Sequence, residues 1–369
     1  VQLKGIPQEQ TNTGDVRIEF YATVRTPEPF LPAGTVIARE QNYIYTFHKD
    51  NAALQAAAPV KETETQAIYS GKNFKAVFDK KSGMLVSYKY NGMEYILNGQ
   101  GLHPNFWRAP IDNDYGAGLP HKLGVWKEVS YGEVTAAVFN SRNGEVTCSY
   151  KFPKADASWD ITYKIYADGV IKVNNRFVAA NEKTPMIPRI GLRMQMPETF
   201  TTLTYYGRGP EENYRDRRTS QFFGEYTSDI KDMYEPYVRP QENNHRTDIY
   251  WCTLTSKAKE GLLFVADRTF EMNVSNYPLE SLDSGDSIEN GAPRTAKTNH
   301  RHLTDPQAVP SVDFFIDYRM MGIGGDNSWG ALAHEPYLIH SGKQNSISYG
   351  FTIVPFDKKT DFKSLIYQY

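Results

Sequence analysis

Residues 159–170 read Trp159-Asp160-Ile161-Thr162-Tyr163-Lys164-Ile165-Tyr166-Ala167-Asp168-Gly169-Val170. In an extended chain Trp159, Ile161, Tyr163 and Ile165 share one side, and Asp160, Thr162 and Lys164 share the other. A period of two with one apolar side is a β-strand covering a core, and Asp168-Gly169 is a turn that sends the chain back through 170–177. The same pattern recurs along the chain. Asn91-Gly92 separates 85–90 from 93–97, and Asn143-Gly144 precedes 145–152. Asn-Gly is favoured there because both central residues of a two-residue hairpin turn take φ > 0. Segments 261–265, 312–319 and 346–354 add further strands, and helical periodicity is scarce, the best stretch being 278–282. The expected fold class is all-β, built on a large antiparallel sheet with one buried face.

The 369 residues allow about two to three domains. Residues 1–50 read as a separate piece: strands at 16–24 and 43–47 are joined by a loop bearing Pro27, Pro29, Pro32 and Gly34. Fifty residues are too few for a self-sufficient sandwich, which takes about 100, so this piece is expected to be half of one. Residues 51–62 form an Ala-rich linker, and 63–369 the large β domain. The composition, 40% hydrophobic and 23% charged with a net charge of −2, is that of an ordinary globular protein and offers no basic field for nucleic acid. No apolar run approaches the roughly 20 residues of a membrane-spanning helix. Val1-Gln2-Leu3 is neither an initiator Met nor a leader, so the chain is expected to be part of a longer one. Cys148 and Cys252 imply no disulfide framework and leave the compartment open.

Four segments concentrate polar chemistry. In 105–114, Trp107 and Arg108 stand beside Asp112 and Asp114. An aromatic platform with charged partners suits a sugar, and a buried Arg–Asp network tying down a loop suits the same residues. Segment 205–218 holds Arg208, Glu211, Glu212, Asp216, Arg217 and Arg218. Adjacent glutamates suggest acid–base work, but neighbours in an extended chain face opposite ways, so an ion-pair network is expected, with Gly207 and Gly209 admitting tight turns. Both segments are expected to be non-helical. Segment 237–248, with Arg239 and Glu242, reads as a shaped loop in which His245 is either an acid–base partner of Glu242 or Asp248, or structural. Segment 321–330 is Gly-rich but carries Asn327 where a dinucleotide loop needs its third glycine, and no βαβ pattern surrounds it. It is expected to be a flexible loop presenting Trp329 as a flat ring to a ligand. His300 and His302 would share a strand face but have no third ligand nearby in sequence, so no metal site is assigned.

The motifs Phe106-Trp107-Arg108-Ala109-Pro110 with Asp112-Asn113-Asp114, Tyr206-Gly207-Arg208-Gly209-Pro210 with Glu212-Asn213-Tyr214, Tyr237-Val238-Arg239-Pro240-Gln241-Glu242-Asn243, and Met321-Gly322-Ile323-Gly324-Gly325-Asp326 with Ser328-Trp329 come in an order that resembles the last part of family 2 glycoside hydrolases, the β-galactosidases. The resemblance covers essentially the whole chain. It implies a large antiparallel supersandwich, galactose mutarotase-like, preceded by the end of an immunoglobulin-like domain. It also implies that catalysis belongs to a TIM barrel outside this sequence, whose acid/base and nucleophile glutamates lie about 5 Å apart in a retaining mechanism. Asn181-Glu182 mimics the barrel's Asn-Glu pair, but Lys183-Thr184-Pro185 follows, and the match is rejected. Trp329 matches the position from which the family stacks an indole on its substrate, with Asp326, Asn327 and His334 as weaker substrate-binding candidates. The family's magnesium and sodium sites belong to the barrel, so no cofactor is carried over. The implied partners are a β-galactoside, the preceding domains of the same chain and further subunits, in the cytoplasm or periplasm of a bacterium. A stand-alone carbohydrate-binding module is the alternative. An aldose 1-epimerase-like enzyme is a third, needing His245 or His334 with Glu242 or Glu335. The chain departs from the best-known pattern at Trp107 and at Gly330-Ala331-Leu332, the latter on the rim of the implied sugar site.

Overall fold

The alternation at 159–165 is the start of a large sheet. In the computed structural model, which describes residues 14–47, 56–179, 185–283, 287–289, 292–294, 302–340, 346–366 and 368–369, strand Ala157–Ile165 buries Trp159, Ile161, Tyr163 and Ile165 and leaves Asp160, Thr162 and Lys164 on the other face. It pairs antiparallel with Glu145–Phe152 on one side and Ile171–Ala179 on the other. The sheet runs in the order Phe222–Asp229, Phe200–Gly209, Arg246–Ser256, Gly261–Ser275, Ile347–Phe356, Ile171–Ala179, Ala157–Ile165, Glu145–Phe152, Val138–Arg142. Strand Gly261–Ser275 serves two rows. Its first part pairs with Ile347–Phe356 and its last part with Ser311–Met320, which in turn pairs with Arg189–Pro197 and, through it, His103–Asn105. Asp267 and Arg268 are exposed at the changeover.

A five-stranded meander, Val60–Glu62, Gln66–Ser70, Phe74–Asp79, Leu85–Tyr90 and Met93–Glu94, closes over the core face. Phe78 meets Tyr163 edge-on at 5.0 Å between ring centroids, and Tyr95 lies 5.2 Å from Phe200. Two apolar faces buried against each other, all strands antiparallel, make an all-β supersandwich. Asn91 and Gly92 have φ of 49° and 86°, as a two-residue hairpin turn requires.

By contacts the chain divides into Leu54–Thr360 and a second unit of Val1–Ala53 with Asp361–Tyr369. That second unit holds an antiparallel ribbon, Gly14–Thr23 with Val36–Phe47, and the short helix Phe362–Ile366. Every described residue between 14 and 44 is at least partly exposed, and Phe20, Tyr21, Ile37 and Tyr43 are each about half exposed or more. Among the described residues no helix is long and apolar enough to cross a membrane. Residues 1–13, Asn181-Glu182, His300 and residues 51–55 of the Ala-rich linker lie outside the described residues.

Two segments of the fold depart from expectation. Segment 105–114 is not free of helix: Asp112–Gly116 is helical, followed by Leu119–Lys122 and Gly124–Tyr131. Pro110, Gly116, Gly118, Pro120 and Gly132 hide these short turns from any periodicity. They are held by packing, since Trp126 is fully buried against Phe106 and donates its indole N–H to the Met186 carbonyl at 3.1 Å. Gly207 and Gly209, in turn, make no turn but end strand Phe200–Gly209. A Cβ on Gly207 would lie 2.5 Å from Ile249 Cδ1, and one on Gly209 would lie 2.2 Å from the Tyr205 hydroxyl, so both are glycine for close approach.

Candidate functional site

The four motif segments, more than 200 residues apart at the extremes, converge on one cleft of about 300 Å3. Asp112 and Asn113 come from the first, Glu212, Tyr214 and Arg217 from the second, Tyr237, Gln241 and Glu242 from the third, and residues 323–325 with Asn327 and Ser328 from the fourth.

Arg108 ties the first segment to the fourth. It is 2% exposed, donates from Nε and Nη2 to the two Asp114 oxygens at 3.0 and 2.8 Å, and donates to the Met321 and Gly322 carbonyls at 2.8 and 3.2 Å. Asp114 also accepts the Ile111 N–H, which starts the helix at Asp112. Trp107 is buried beside it, with its indole N–H on Asp283 Oδ2 at 2.8 Å. It is therefore no open sugar platform; Arg108 and Asp114 form a buried pair, while Asp112 stays exposed. Arg239 stacks its guanidinium 3.9 Å from the Tyr115 ring centroid and sits 3.9 Å from Asp112.

Glu212 and Glu211 part company. Glu211 is exposed, whereas Glu212 turns inward to accept from Arg217 Nη2 at 2.5 Å, the Tyr237 hydroxyl and the Asn244 N–H at 2.8 Å. Arg208 pairs with Asp248 at 2.7 Å and stacks on Phe223, and Arg218 shares the same Asp248 oxygen at 2.7 Å. Asp248 is thus not available to His245. Glu242 is buried and accepts from Asn273 Nδ2 at 2.8 Å.

His245 is fully buried, stacked on Tyr214, with Nε2 3.0 Å from Glu271 Oε2 and Nδ1 2.7 Å from Asn273 Oδ1. Burial pushes the Glu271 carboxyl up, but the His245 hydrogen bond and the Arg215 charge outweigh it and hold it down to about 2. His245 is out of reach of a sugar, which removes it as the acid or base of an epimerase-like site. The motif reading missed Glu271 and Asn273, although a Glu and an Asn alternating with Phe270, Met272 and Val274 inside an apolar strand were the available signal.

The fourth segment is pinned rather than flexible. Asp216 accepts the Ile323 and Gly324 N–H groups at 3.1 and 2.8 Å. Asn113 Nδ2 donates to the Asn327 and Ala331 carbonyls, and Asn327 Oδ1 accepts from the Trp329 and Ala331 N–H groups at 2.9 and 3.2 Å. Asn327 therefore shapes the loop with its side chain. Gly330, at φ +106°, lies so close to Gly116 that a Cβ there would sit 2.4 Å from the Gly116 carbonyl carbon. On this fixed backbone Trp329 is 86% exposed. Asp326 and His334 form an exposed pair at 2.7 Å on the same loop, and the Asp326 hydrogen bond raises the His334 pKa. Glu335 engages His340 at 2.9 Å, not His334. Among the described residues no group of three or more His, Cys, Asp or Glu is placed to hold a metal ion.

A family model described as beta galactosidase small chain matches residues 70–353. The β-galactosidase of Priestia megaterium is 32% identical over 354 residues, covering 94% of this chain and 32% of that protein. That of Streptococcus thermophilus is 30% identical over 340 residues, covering 90% and 31%. The chain thus spans about a third of the length of the curated relatives it matches. Among solved structures, a GalM/aldose epimerase homologue from C. elegans aligns with a TM-score of 0.42 at 10% identity, covering 83% of this chain and 99% of that one. The galactose 1-epimerase of Lactobacillus acidophilus NCFM gives 0.42 at 8%, with the same two coverages of 83% and 99%. With the family match running through all four converging motifs, the chain belongs to the beta galactosidase small chain family.

Proposed function

We propose that this chain is a non-catalytic part of a retaining β-galactosidase, bracing the catalytic barrel and lending Trp329 to the galactoside. The observation that carries the proposal is an 86% exposed indole on a loop held by Asn113, Asp216 and the Gly116–Gly330 contact, at the rim of the cleft where the family motifs meet. A large apolar ring held rigidly in water stabilises nothing within the chain, whereas a sugar's C–H face stacks on it at little entropic cost. The cleft carboxylates support the division of labour. Glu212 is engaged by three donors and Glu242 is buried on Asn273, which leaves neither poised across a glycosidic bond. The open apolar side chains of the Gly14–Thr23 and Val36–Phe47 ribbon suit a strand partner from the preceding domain.

The test is a chimera. The corresponding third of the Priestia megaterium enzyme is replaced by this chain, and hydrolysis of a nitrophenyl galactoside is measured. Activity is expected for the chimera and none for the isolated chain. Trp329→Ala in the chimera is expected to raise KM about tenfold, the equivalent of about 1.4 kcal/mol of stacking. Turnover by the isolated chain at the chimera's rate, or an unchanged KM in Trp329→Ala, would refute the proposal.

A further inference from the structure

The large sheet has a second concavity, away from the Trp329 loop. On the face opposite the core, strands Glu145–Phe152, Ala157–Ile165, Ile171–Ala179, Ile347–Phe356 and Gly261–Ser275 form a trough of about 910 Å3. That lies at the upper end of the roughly 300–1,000 Å3 typical of small-molecule sites. A solvated sheet face is polar by default, but three features here go further.

The first is the floor. On this face the mid-strand positions carry the short hydrogen-bonding side chains Thr147, Ser149, Thr162 and Asn174 beside Asp160 and Arg176, with Ser348 at the start of its strand, while the lysines of the same face, Lys151, Lys164 and Lys172, stand towards the strand ends. The second is Gly350. A Cβ there would lie 2.4 Å from Asp267 Oδ2 and 3.1 Å from Asn174 Oδ1, so the glycine lets a carboxylate and an amide reach over one point of the floor. Lys172 engages the other Asp267 oxygen at 3.4 Å, and among the described residues Oδ2 and the Asn174 amide hydrogen-bond to nothing. The third is charge. The trough holds Asp160 and Asp267 against Arg176 and Arg268, an even balance that favours neither a phosphate nor a cation. Asp160 is already held by Ser149 at 2.6 Å and Arg176 at 3.7 Å, whereas Arg268 has no acidic partner among the described residues.

We propose that this trough binds a neutral saccharide longer than one ring, independently of Trp329. Adjacent sugar hydroxyls both donate and accept. One hydroxyl can donate to Asp267 Oδ2 while its neighbour bonds the Asn174 amide or accepts from Arg268, and Tyr318 on the wall supplies the apolar surface for a C–H face. A trough of about 910 Å3 has room for more than one sugar ring.

The test uses the full chain carrying Trp329→Ala, which weakens the cleft proposed above, with lactose and β-1,4-galactotetraose as calorimetric probes. Saturable binding of the tetraose, tighter than that of lactose, is expected to persist in Trp329→Ala. It should fall at least tenfold in Trp329→Ala/Asn174→Ala/Asp267→Ala, whose added changes lie on the solvent face and leave the thermal midpoint in place. Gly350→Val, which fills the floor, should abolish it. No saturable binding to Trp329→Ala, or undiminished binding in the triple variant, would overturn the proposal. A raised KM of the chimera in Trp329→Ala with the trough titration intact separates the two sites.

Discussion

Gly330→Ala would add one methyl group and unseat the loop that carries Trp329. The new Cβ would lie 2.4 Å from the Gly116 carbonyl carbon and 2.6 Å from the Ala117 nitrogen, both backbone atoms at the end of a helix that cannot swing aside. The φ of +106° is itself costly for alanine, by about 1–3 kcal/mol. That range lowers the population of the pinned conformation by a factor of roughly 5–150. The clean readout is hydrogen exchange at the Trp329 and Ala331 amides, which both donate to Asn327 Oδ1. They are expected to exchange faster by that factor while the core strands keep their protection. Gly116→Ala approaches the same contact from the other side. Its Cβ would meet the Trp329 carbonyl oxygen at 2.7 Å, but helix propensity alone favours alanine over glycine by about 1 kcal/mol. If the contact governs, Gly116→Ala also loosens the loop; if propensity governs, it stabilises. Wild-type exchange at both amides in both variants would refute the claim that the backbone contact fixes the indole.

Arg108→Met strands a buried Asp114 carboxylate and the carbonyls of Met321 and Gly322. Urea denaturation is expected to show a loss of about 3–5 kcal/mol, partly recovered in Arg108→Met/Asp114→Leu, as for other buried pairs broken on one side. His103 is buried, and burial holds its pKa down to about 4 against the pull of the Gly101 carbonyl. The unfolded chain takes up that proton near the ordinary 6.5 and the folded chain does not, so stability present above pH 6.5 is lost as pH falls towards 4. His103→Gln should flatten that limb of the thermal midpoint against pH, and an identical slope in the variant would remove His103 as its cause.

What could be read from the sequence was whatever repeats at short range. Alternation located strand Ala157–Ile165 and both its neighbours, and a tryptophan among glycines marked the exposed ring at 329. The helical turns between Asp112 and Tyr131 were illegible because tertiary burial of Trp126, not periodicity, makes them. The role of His245 stayed open between acid–base and structural because its partners Glu271 and Asn273 lie on the neighbouring strand of the sheet, far off in sequence, rather than among the acids beside it. The trough was invisible for the same reason. Its floor takes one or two residues from each of several strands, and the lone local hint was a glycine, Gly350, inside an apolar strand, a sign that something approaches closely.

The buried charges are arranged in a way that bears on how the Trp329 loop is aimed. Strands Arg189–Pro197 and Ser311–Met320 are antiparallel, with Gly191 opposite Asp317 and Gln195 opposite Asp313. Arg189 reaches Asp317 at 2.7 Å and Arg193 reaches Asp313 at 2.7 Å, so each arginine bonds the aspartate that faces the position two residues further on. Two identical diagonals, four residues apart on both strands, are satisfied together in the observed register, and a slip of four residues keeps one at most. Gly191 completes the lock, because a Cβ there would fall 1.7 Å from Asp317 Oδ1. Ion pairs buried this deeply add little net stability over apolar residues of the same volume, and what they do supply is register. The strand they index runs directly into Met321 and Gly322, whose carbonyls Arg108 grips, so an error of register in the sheet would displace the loop and its indole by whole residues.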